Sequence, residues 1–181
     1  MIDKKISSRE AIMEAGFALF SKDPSVSLAD IAAHANVGRA TLHRHFSGRD
    51  DLMVALAHQA LEELDAAVTL ATQDADSYTD ALRLTMQAVL PLARRQKFLA
   101  EERVVEDALA AQYAEAEALV RDMMVQAQNE GTLNPNIEPD WLTAVYNNLI
   151  YAGWEMVDAE EATPKQASAF IWQVFSKGAS A

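Results

Sequence analysis

The chain has 181 residues, half of them hydrophobic, no cysteine and a formal net charge of −12. The lack of cysteine excludes disulfides, thiol nucleophiles and thiolate metal sites. No signal-peptide pattern opens the chain, and its longest uncharged stretch, residues 141–154, is too short to span a bilayer, so we expect a cytoplasmic protein without a membrane partner.

The first predicted helix covers residues 7–22 and ends before Pro24. Its apolar face would consist of Ile12, Ala15, Leu19 and Phe20. Three cations, Lys4, Lys5 and Arg9, precede or open this helix. They would either touch phosphate groups or form a solvated tail.

Residues 27–46 read as two short helices joined by a tight turn. Ser27 and Asp30 have the spacing of a capping box, which predicts the start of the first helix. Asn36 tolerates the left-handed conformation and should end that helix. Gly38 is an acceptable N-cap for the second helix. Together these signals predict a helix-turn-helix.

The second helix of this motif has an apolar side and a polar side. Leu42 and Phe46 are four residues apart and should face inward, whereas Ala40 points almost directly away from Leu42. Hydrogen-bonding residues surround this small residue: Arg39, Thr41, His43 and Arg44. Such a face suits a helix that lies in the major groove of DNA.

Here the chain resembles the TetR family of bacterial transcriptional regulators. The resemblance covers roughly the first third of the chain and rests on Arg9, Ile12, Ala15, Leu19, Phe20, Ile31, Ala32, Val37, Thr41, Leu42, His45, Phe46, Arg49 and Leu52. Three positions depart from the family pattern. Asn36 stands where glycine is usual, Gly38 where serine is usual and His43 where tyrosine is usual.

The resemblance implies an all-α fold with a three-helix DNA-binding head at residues 1–48 and a helical ligand-binding and dimerisation body at residues 49–181. It implies a homodimeric regulator, typically a repressor, that a small-molecule inducer releases from a palindromic operator on double-stranded DNA. The candidate DNA-binding residues are Ser27, Arg39, Ala40, Thr41, His43, Arg44, His45 and Arg49. Of these, Arg39, Ala40, Thr41 and Arg44 are expected to face bases, while His43, His45 and Arg49 are expected to meet phosphates.

The charge is divided unevenly between the two parts. Residues 1–50 carry seven Lys/Arg against six Asp/Glu, whereas the remainder carries eight against 21. The acidic body should repel DNA and leave the head as the docking surface. Because the head is only weakly basic, tight binding would need cations placed locally against the phosphates.

A helix of residues 49–70 should link head and body. Ser47 and Asp50 form a second capping signature at its start. Arg49 places a cation at the positive end of the helix dipole, which suggests an external anion such as phosphate. The alternative is an exposed arginine that pairs with Asp50 and Asp51.

Further helices fill the body. Ser77 and Asp80 open one that runs to about residue 95, and Pro91 should kink or split it. Residues 97–109 and 112–129 predict either two more helices or two helical segments joined with little break, and Gly131 should close the second. The last two are expected at residues 139–158 and, after the Thr163 N-cap, up to about residue 178.

The last two helices are apolar around most of their circumference, so they should be covered on more than one side. We expect two copies of the chain to pair through them as a four-helix interface. The candidate interface residues are Trp141, Val145, Leu149, Trp154, Phe170, Ile171, Val174 and Phe175. The alternative is that both helices are central in a monomer.

A ligand pocket would lie between the middle helices. Its candidate lining residues are Met86, Phe98, Arg103, Tyr113, Met123, Met124, Tyr146 and Asn147, although ordinary core roles remain open for most of them. His58 and Glu62 make a poor metal pair, and no catalytic motif stands out, so we expect no enzyme, metal or cofactor. The alternative function is an all-helical ligand carrier or interaction module with a vestigial helix-turn-helix.

Overall fold

A computed structural model describes residues 6–101 and 103–180, with the side chains of residues 100–108 left out of the description. Every regular element longer than a turn in these residues is helical, which confirms the predicted all-α class. The elements are α1 (Ser8–Phe20), α2 (Leu28–His34), α3 (Arg39–His45), α4 (Arg49–Thr72), α5 (Tyr78–Val89), a 3₁₀ turn (Leu90–Leu92), α6 (Ala93–Glu101), α7 (Arg103–Asn129), α8 (Pro139–Asp158) and α9 (Pro164–Ala179).

The chain forms two compact units. The first contains the residues up to Leu61 together with Arg94–Leu109, and the second contains Glu62–Ala93 and the residues after 109. This division differs from the predicted boundary between residues 48 and 49. The first half of α4 and most of α6 belong to the first unit, so this unit is larger than the three helices of the predicted head.

The core of the first unit is built where α1, α2 and α3 meet. Gly16 of α1 allows a close approach to α4, because a Cβ atom there would lie 2.9 Å from Leu56 Cδ1. The largest buried side chains of this unit are Ile12, Met13, Phe17, Phe20, Ile31, Leu42, Phe46, Leu52, Leu56 and Phe98. These apolar contacts hold α3 in place from beneath.

Side chains of α6 contact α1 within the same unit. The Phe98 ring is 1 % exposed and packs edge-on against Phe17, with ring centroids 5.6 Å apart, and 6.1 Å from the Phe20 ring. Arg95 lies 4.2 Å above the Phe17 ring and pairs with Glu14 at 2.5 Å. Phe98 thus completes the aromatic core of the first unit, and its role in a ligand pocket stays a prediction.

The core of the second unit lies between α5, the 3₁₀ turn, α8 and α9. Tyr146 is fully buried, stacks edge-on against Phe175 with centroids 5.4 Å apart, and donates its hydroxyl proton to the Leu82 carbonyl at 2.7 Å. Burial raises the pKa of the Tyr146 phenol well above its ordinary value, so the ring stays neutral. Tyr146 is thus a core residue whose hydroxyl group has a hydrogen-bond partner inside the second unit.

Most predicted helix boundaries are confirmed by their caps. Asn36 and Gly131 have positive φ angles of 53° and 76° after α2 and α7, and Thr163 forms a capping box at the start of α9. Pro91 produces the 3₁₀ turn that separates α5 from α6. The two predicted segments on either side of residues 110–111 are joined without a break, because two alanines there let α7 continue.

Among the residues that the structure describes, no helix combines the length and the apolar character needed to cross a membrane.

Candidate nucleic-acid interface

The start of α2 is fixed by a reciprocal pair of hydrogen bonds. Ser27 Oγ accepts from the Asp30 backbone N–H at 3.2 Å, and the Asp30 carboxylate accepts from the Ser27 backbone N–H at 3.2 Å and from its hydroxyl at 2.5 Å. These bonds lower the pKa of Asp30 below its ordinary value. Ser27 was predicted to bind DNA, and its hydroxyl is already committed to this cap.

The turn between α2 and α3 follows the sequence prediction. Asn36 adopts the left-handed conformation, and the Val37 backbone N–H returns to the Ala32 carbonyl at 2.9 Å. Gly38 then serves as the N-cap of α3 in an extended conformation. The turn therefore sets α3 at a defined angle across α2, as a helix-turn-helix requires.

The exposed side of α3 is the one that the sequence predicts. Leu42 and Phe46 are buried at 1 % and 2 % exposure, and Thr41 is half-buried. Four residues of α3 are exposed and form what we call the outer face: Arg39, Ala40, His43 and Arg44. The apolar residues of α3 are buried, and its exposed side has a small residue flanked by cations. The backbone of such a helix can approach the bases closely in the major groove.

His45 does not join this face. Its Nε2 atom is buried and has no hydrogen-bond partner among the described residues, and its ring lies 6.4 Å from the ring of Phe46. A buried nitrogen is not available to a phosphate of bound DNA. The Nε2 atom therefore does not serve the predicted phosphate contact of His45, which stays a prediction for the rest of the ring.

Arg49 also has a different environment from the one predicted. Its Nη1 atom donates to the Val26 carbonyl at 2.6 Å, its Nη2 atom donates to the Pro24 carbonyl, and its guanidinium lies 4.5 Å above the Phe20 ring. Both acceptors are backbone carbonyls of the loop between α1 and α2. The predicted partners of Arg49 were a phosphate or the carboxylates of Asp50 and Asp51. Asp51 instead accepts from the backbone and hydroxyl of Ser47, at 2.8 and 3.0 Å.

Three further cations, Lys4, Lys5 and Arg9, were predicted to touch phosphates or to form a solvated tail. Lys4 and Lys5 lie outside the described residues. Arg9 is exposed near the start of α1 and lies 5.5 Å above the Phe46 ring, so α1 and the end of α3 are joined by a cation–π contact.

The predicted ligand-binding residues are divided between the two units. Phe98 lies in the first unit, whereas Met86 and Tyr146 are fully buried in the second. Asn147 is exposed, which contradicts a role in a buried pocket. The remaining predicted residues are half-buried (Tyr113, Met123), buried (Met124) or outside the described side chains (Arg103).

The predicted dimer interface is divided by burial. Trp141, Phe170 and Val174 are exposed at 67 %, 51 % and 61 %, and Val145, Leu149 and Trp154 are half-buried. Ile171 and Phe175 are 5 % and 1 % exposed, so their predicted interface role is wrong because they pack inside the second unit. Tyr151 of α8 is also exposed, at 39 %, and was not among the predicted interface residues.

Comparison with known proteins identifies the architecture. The family model described as bacterial regulatory proteins, tetR family, matches residues 12–56, which span α1 to the first turns of α4. The HTH-type transcriptional repressor LfrR of Mycolicibacterium smegmatis is 30 % identical over 160 residues, covering 87 % of this chain and 82 % of that protein. The chain belongs to the TetR family. It is a DNA-binding transcriptional regulator, and its curated relative is a regulator rather than an enzyme.

Solved structures agree with this TetR-family membership. The TetR-like regulator LfrR from Mycobacterium smegmatis, solved in complex with proflavine, is 28 % identical and has a TM-score of 0.74, with 94 % of this chain and 96 % of that chain covered. The ketosteroid transcriptional regulator KstR2 of Mycobacterium tuberculosis has a TM-score of 0.85 at 15 % identity, with 97 % and 96 % covered. The similarity to KstR2 shows that the two chains share a fold.

Proposed function

We propose that this TetR-family regulator is a repressor that binds a palindromic operator as a homodimer and leaves it when a small molecule binds. The observation that carries the proposal is the outer face of α3, where Arg39, Ala40, His43 and Arg44 are exposed above the buried Leu42.

The residue types on this face fit direct readout of bases. Arg39 and Arg44 are the side chains that pair bidentately with guanine O6 and N7 in the major groove. Ala40 lets the backbone of α3 approach the bases and offers a methyl group to thymine. Thr41 lies at the edge of the face and His43 reaches toward a phosphate, where the imidazole donates one hydrogen bond.

Charge supports docking through the first unit. The excess of acid after residue 50 repels DNA, whereas the exposed cations of α3 lie where the duplex would bind. Because few cations are available, a small number of phosphate contacts would carry the electrostatic part of the affinity, and the salt dependence should be correspondingly shallow.

Dimerisation is supported by the exposed apolar residues of α8 and α9. Trp141, Phe170 and Val174 lie on the last two helices, where a second copy would cover them. A two-fold dimer would present two α3 helices to half-sites about 34 Å apart or multiples of that distance. Replacing Val174 with aspartate should give monomers in analytical ultracentrifugation. A V174D dimer as stable as wild type would refute this interface.

The inducer is proposed to act by population shift. A small molecule that binds the conformation with the wrong spacing of the two α3 helices would release the operator. Because LfrR was solved with proflavine, proflavine is the first compound to test. Release of operator DNA on titration with proflavine would support this ligand class, and DNA that stays bound at saturating proflavine would exclude it.

The DNA-binding assignment is tested by fluorescence anisotropy with a duplex selected from a random pool. Arg44→Ala should weaken specific binding by about 1–3 kcal/mol and relax the preference at one base position of each half-site. Lys22→Ala is the matched control, because it removes an exposed cation from the same unit outside α3. Equal effects of the two substitutions would contradict the assignment. If the wild type selected no sequence, the carrier or interaction-module function would be favoured.

A further inference from the structure

Arg49 joins the start of α4 to the loop between α1 and α2. Its two terminal nitrogens donate to the carbonyls of Pro24, in the middle of the loop, and Val26, directly before the Ser27 N-cap of α2. Its guanidinium lies 4.5 Å above the ring of Phe20, the last residue of α1. One side chain thus touches the end of α1, the α1–α2 loop and the entry to α2.

The loop compensates the charge of Arg49. The Asp23 carboxylate, which accepts from the backbone N–H of Ser25 at 2.8 Å and from its hydroxyl at 2.6 Å, is close enough for the Arg49 charge to help lower its pKa. Carbonyl acceptors, a nearby carboxylate and an aromatic face together supply the negative environment that a cation at a helix N-terminus lacks.

We propose that Arg49 is a positioning residue, which holds the entry to α2 against the first turn of α4 and thereby fixes the angle of the helix-turn-helix, instead of binding a DNA phosphate. The proposal rests on the proposed role of α3 in DNA binding. Because α2 and α3 are joined by a short turn, the fixed entry to α2 also fixes the outer face of α3.

The geometry requires arginine. A planar guanidinium donates from two nitrogens in fixed directions and stacks on an aromatic ring at the same time. A lysine at residue 49 would keep the charge but would replace this fork with one ammonium group. A phosphate contact, in contrast, tolerates lysine, since it depends mainly on a positive charge near the backbone of DNA.

The experiment compares Arg49→Lys and Arg49→Ala with wild type, using the full chain and its selected duplex over a series of salt concentrations. Both variants should bind about tenfold more weakly at a fixed salt concentration, because each loses the paired charge-assisted hydrogen bonds. The slope of log affinity against log salt should remain that of wild type. Arg44→Ala is the control for a lost base contact, because it should relax the preference at one base position of each half-site, whereas the Arg49 variants should keep the wild-type preference.

A phosphate contact gives the opposite pattern. Wild-type affinity in Arg49→Lys, together with a slope shallower by about one in Arg49→Ala, would overturn the proposal. Circular dichroism at 222 nm establishes whether each variant is folded. If Arg49→Ala does not fold, the comparison of Arg49→Lys with wild type still tests the proposal.

Hydrogen exchange without DNA separates this proposal from the proposed function. Backbone amides of residues 25–31 should exchange faster in Arg49→Lys than in wild type, because the entry to α2 is no longer held. Unchanged exchange in that segment would refute the positioning role even if DNA binding were confirmed. Faster exchange in a protein that selects no duplex would instead leave the role of Arg49 in place and refute the proposed function.

Discussion

Phe98 provides the sharpest test of how α6 contributes to the DNA-binding unit. The ring is 1 % exposed and packs against the rings of Phe17 and Phe20. Phe98→Ala should reduce the free energy of unfolding by about 3–5 kcal/mol, because it removes a buried ring and leaves a cavity. Phe98→Leu keeps most of the apolar volume but loses two aromatic pairs, each worth about 0.5–1.5 kcal/mol, so its cost should be about 1–3 kcal/mol.

Urea denaturation can measure this effect with two probes. Circular dichroism at 222 nm follows all the helices, whereas all three tryptophans, Trp141, Trp154 and Trp172, belong to the second unit. For an m-value of about 2–3 kcal/mol per molar urea, Phe98→Ala should lower the midpoint seen by circular dichroism by roughly 1–2 M. Tryptophan fluorescence should show a smaller decrease, because it does not report the first unit directly.

The competing interpretation of Phe98 is a ligand-pocket residue. It predicts that Phe98→Ala leaves the unfolding midpoint close to that of wild type and weakens binding of the inducer. That result would refute the aromatic-core role derived from the ring contacts. A cost that does not increase from the leucine to the alanine variant would also contradict it.

Three further substitutions test separate parts of the fold by urea denaturation. Gly16→Ala should destabilise the chain by about 1–2 kcal/mol, because the new methyl group meets a leucine of α4 at 2.9 Å. Gly178→Ala should stabilise it by up to about 1 kcal/mol, because no atom lies within 4 Å of the new methyl group and alanine favours the helix. Stability changes of the same sign for both would contradict the packing described. Tyr146→Phe should cost about 1 kcal/mol through the lost bond to a carbonyl of α5, and an unchanged midpoint would show that this bond contributes nothing. Ser27→Ala should cost about 1 kcal/mol at neutral pH. The folded-state pKa of Asp30 lies below its unfolded value of 3.8, so the stability that this carboxylate supplies is present above that pH and is lost as the pH falls through the folded pKa. The difference in unfolding free energy between Ser27→Ala and wild type should therefore become smaller in acid. A difference that does not change with pH would contradict the capping box.

Local signals in the sequence predicted the helix-turn-helix well. The bonds between Ser27 and Asp30, the left-handed Asn36 and the Gly38 cap all depend on residues within four positions of one another. Their chemistry can therefore be read from the chain directly. The inward orientation of Leu42 followed from helical periodicity for the same reason.

Long-range packing could not be predicted in this way. Phe98 contacts Phe17 across about eighty positions of sequence, and periodicity in α6 gives no information about its partner. Arg49 is similar, since its acceptors are carbonyls of a loop more than twenty residues earlier. The cation at this helix N-terminus suggested an external anion or the neighbouring aspartates, and nothing local in the sequence identified the loop carbonyls as its acceptors.

The apolar circumference of α9 shows a third limit. Its hydrophobic residues include both Ile171 and Phe175, which are buried inside the second unit, and Phe170 and Val174, which are exposed. The sequence pattern predicts that more than one side is covered, yet it assigns no side to the protomer or to a partner. That assignment requires the positions of α5 and α8.

The central claim is that the outer face of α3 reads a specific DNA sequence. The measurement that tests it most directly is selection of bound duplexes from a random pool by the full chain at two salt concentrations. The account predicts enrichment of a palindrome with half-site centres about 34 Å apart or a multiple of that distance, retained at the higher salt concentration. Binding that is lost at the higher salt concentration and enriches no sequence would contradict the claim.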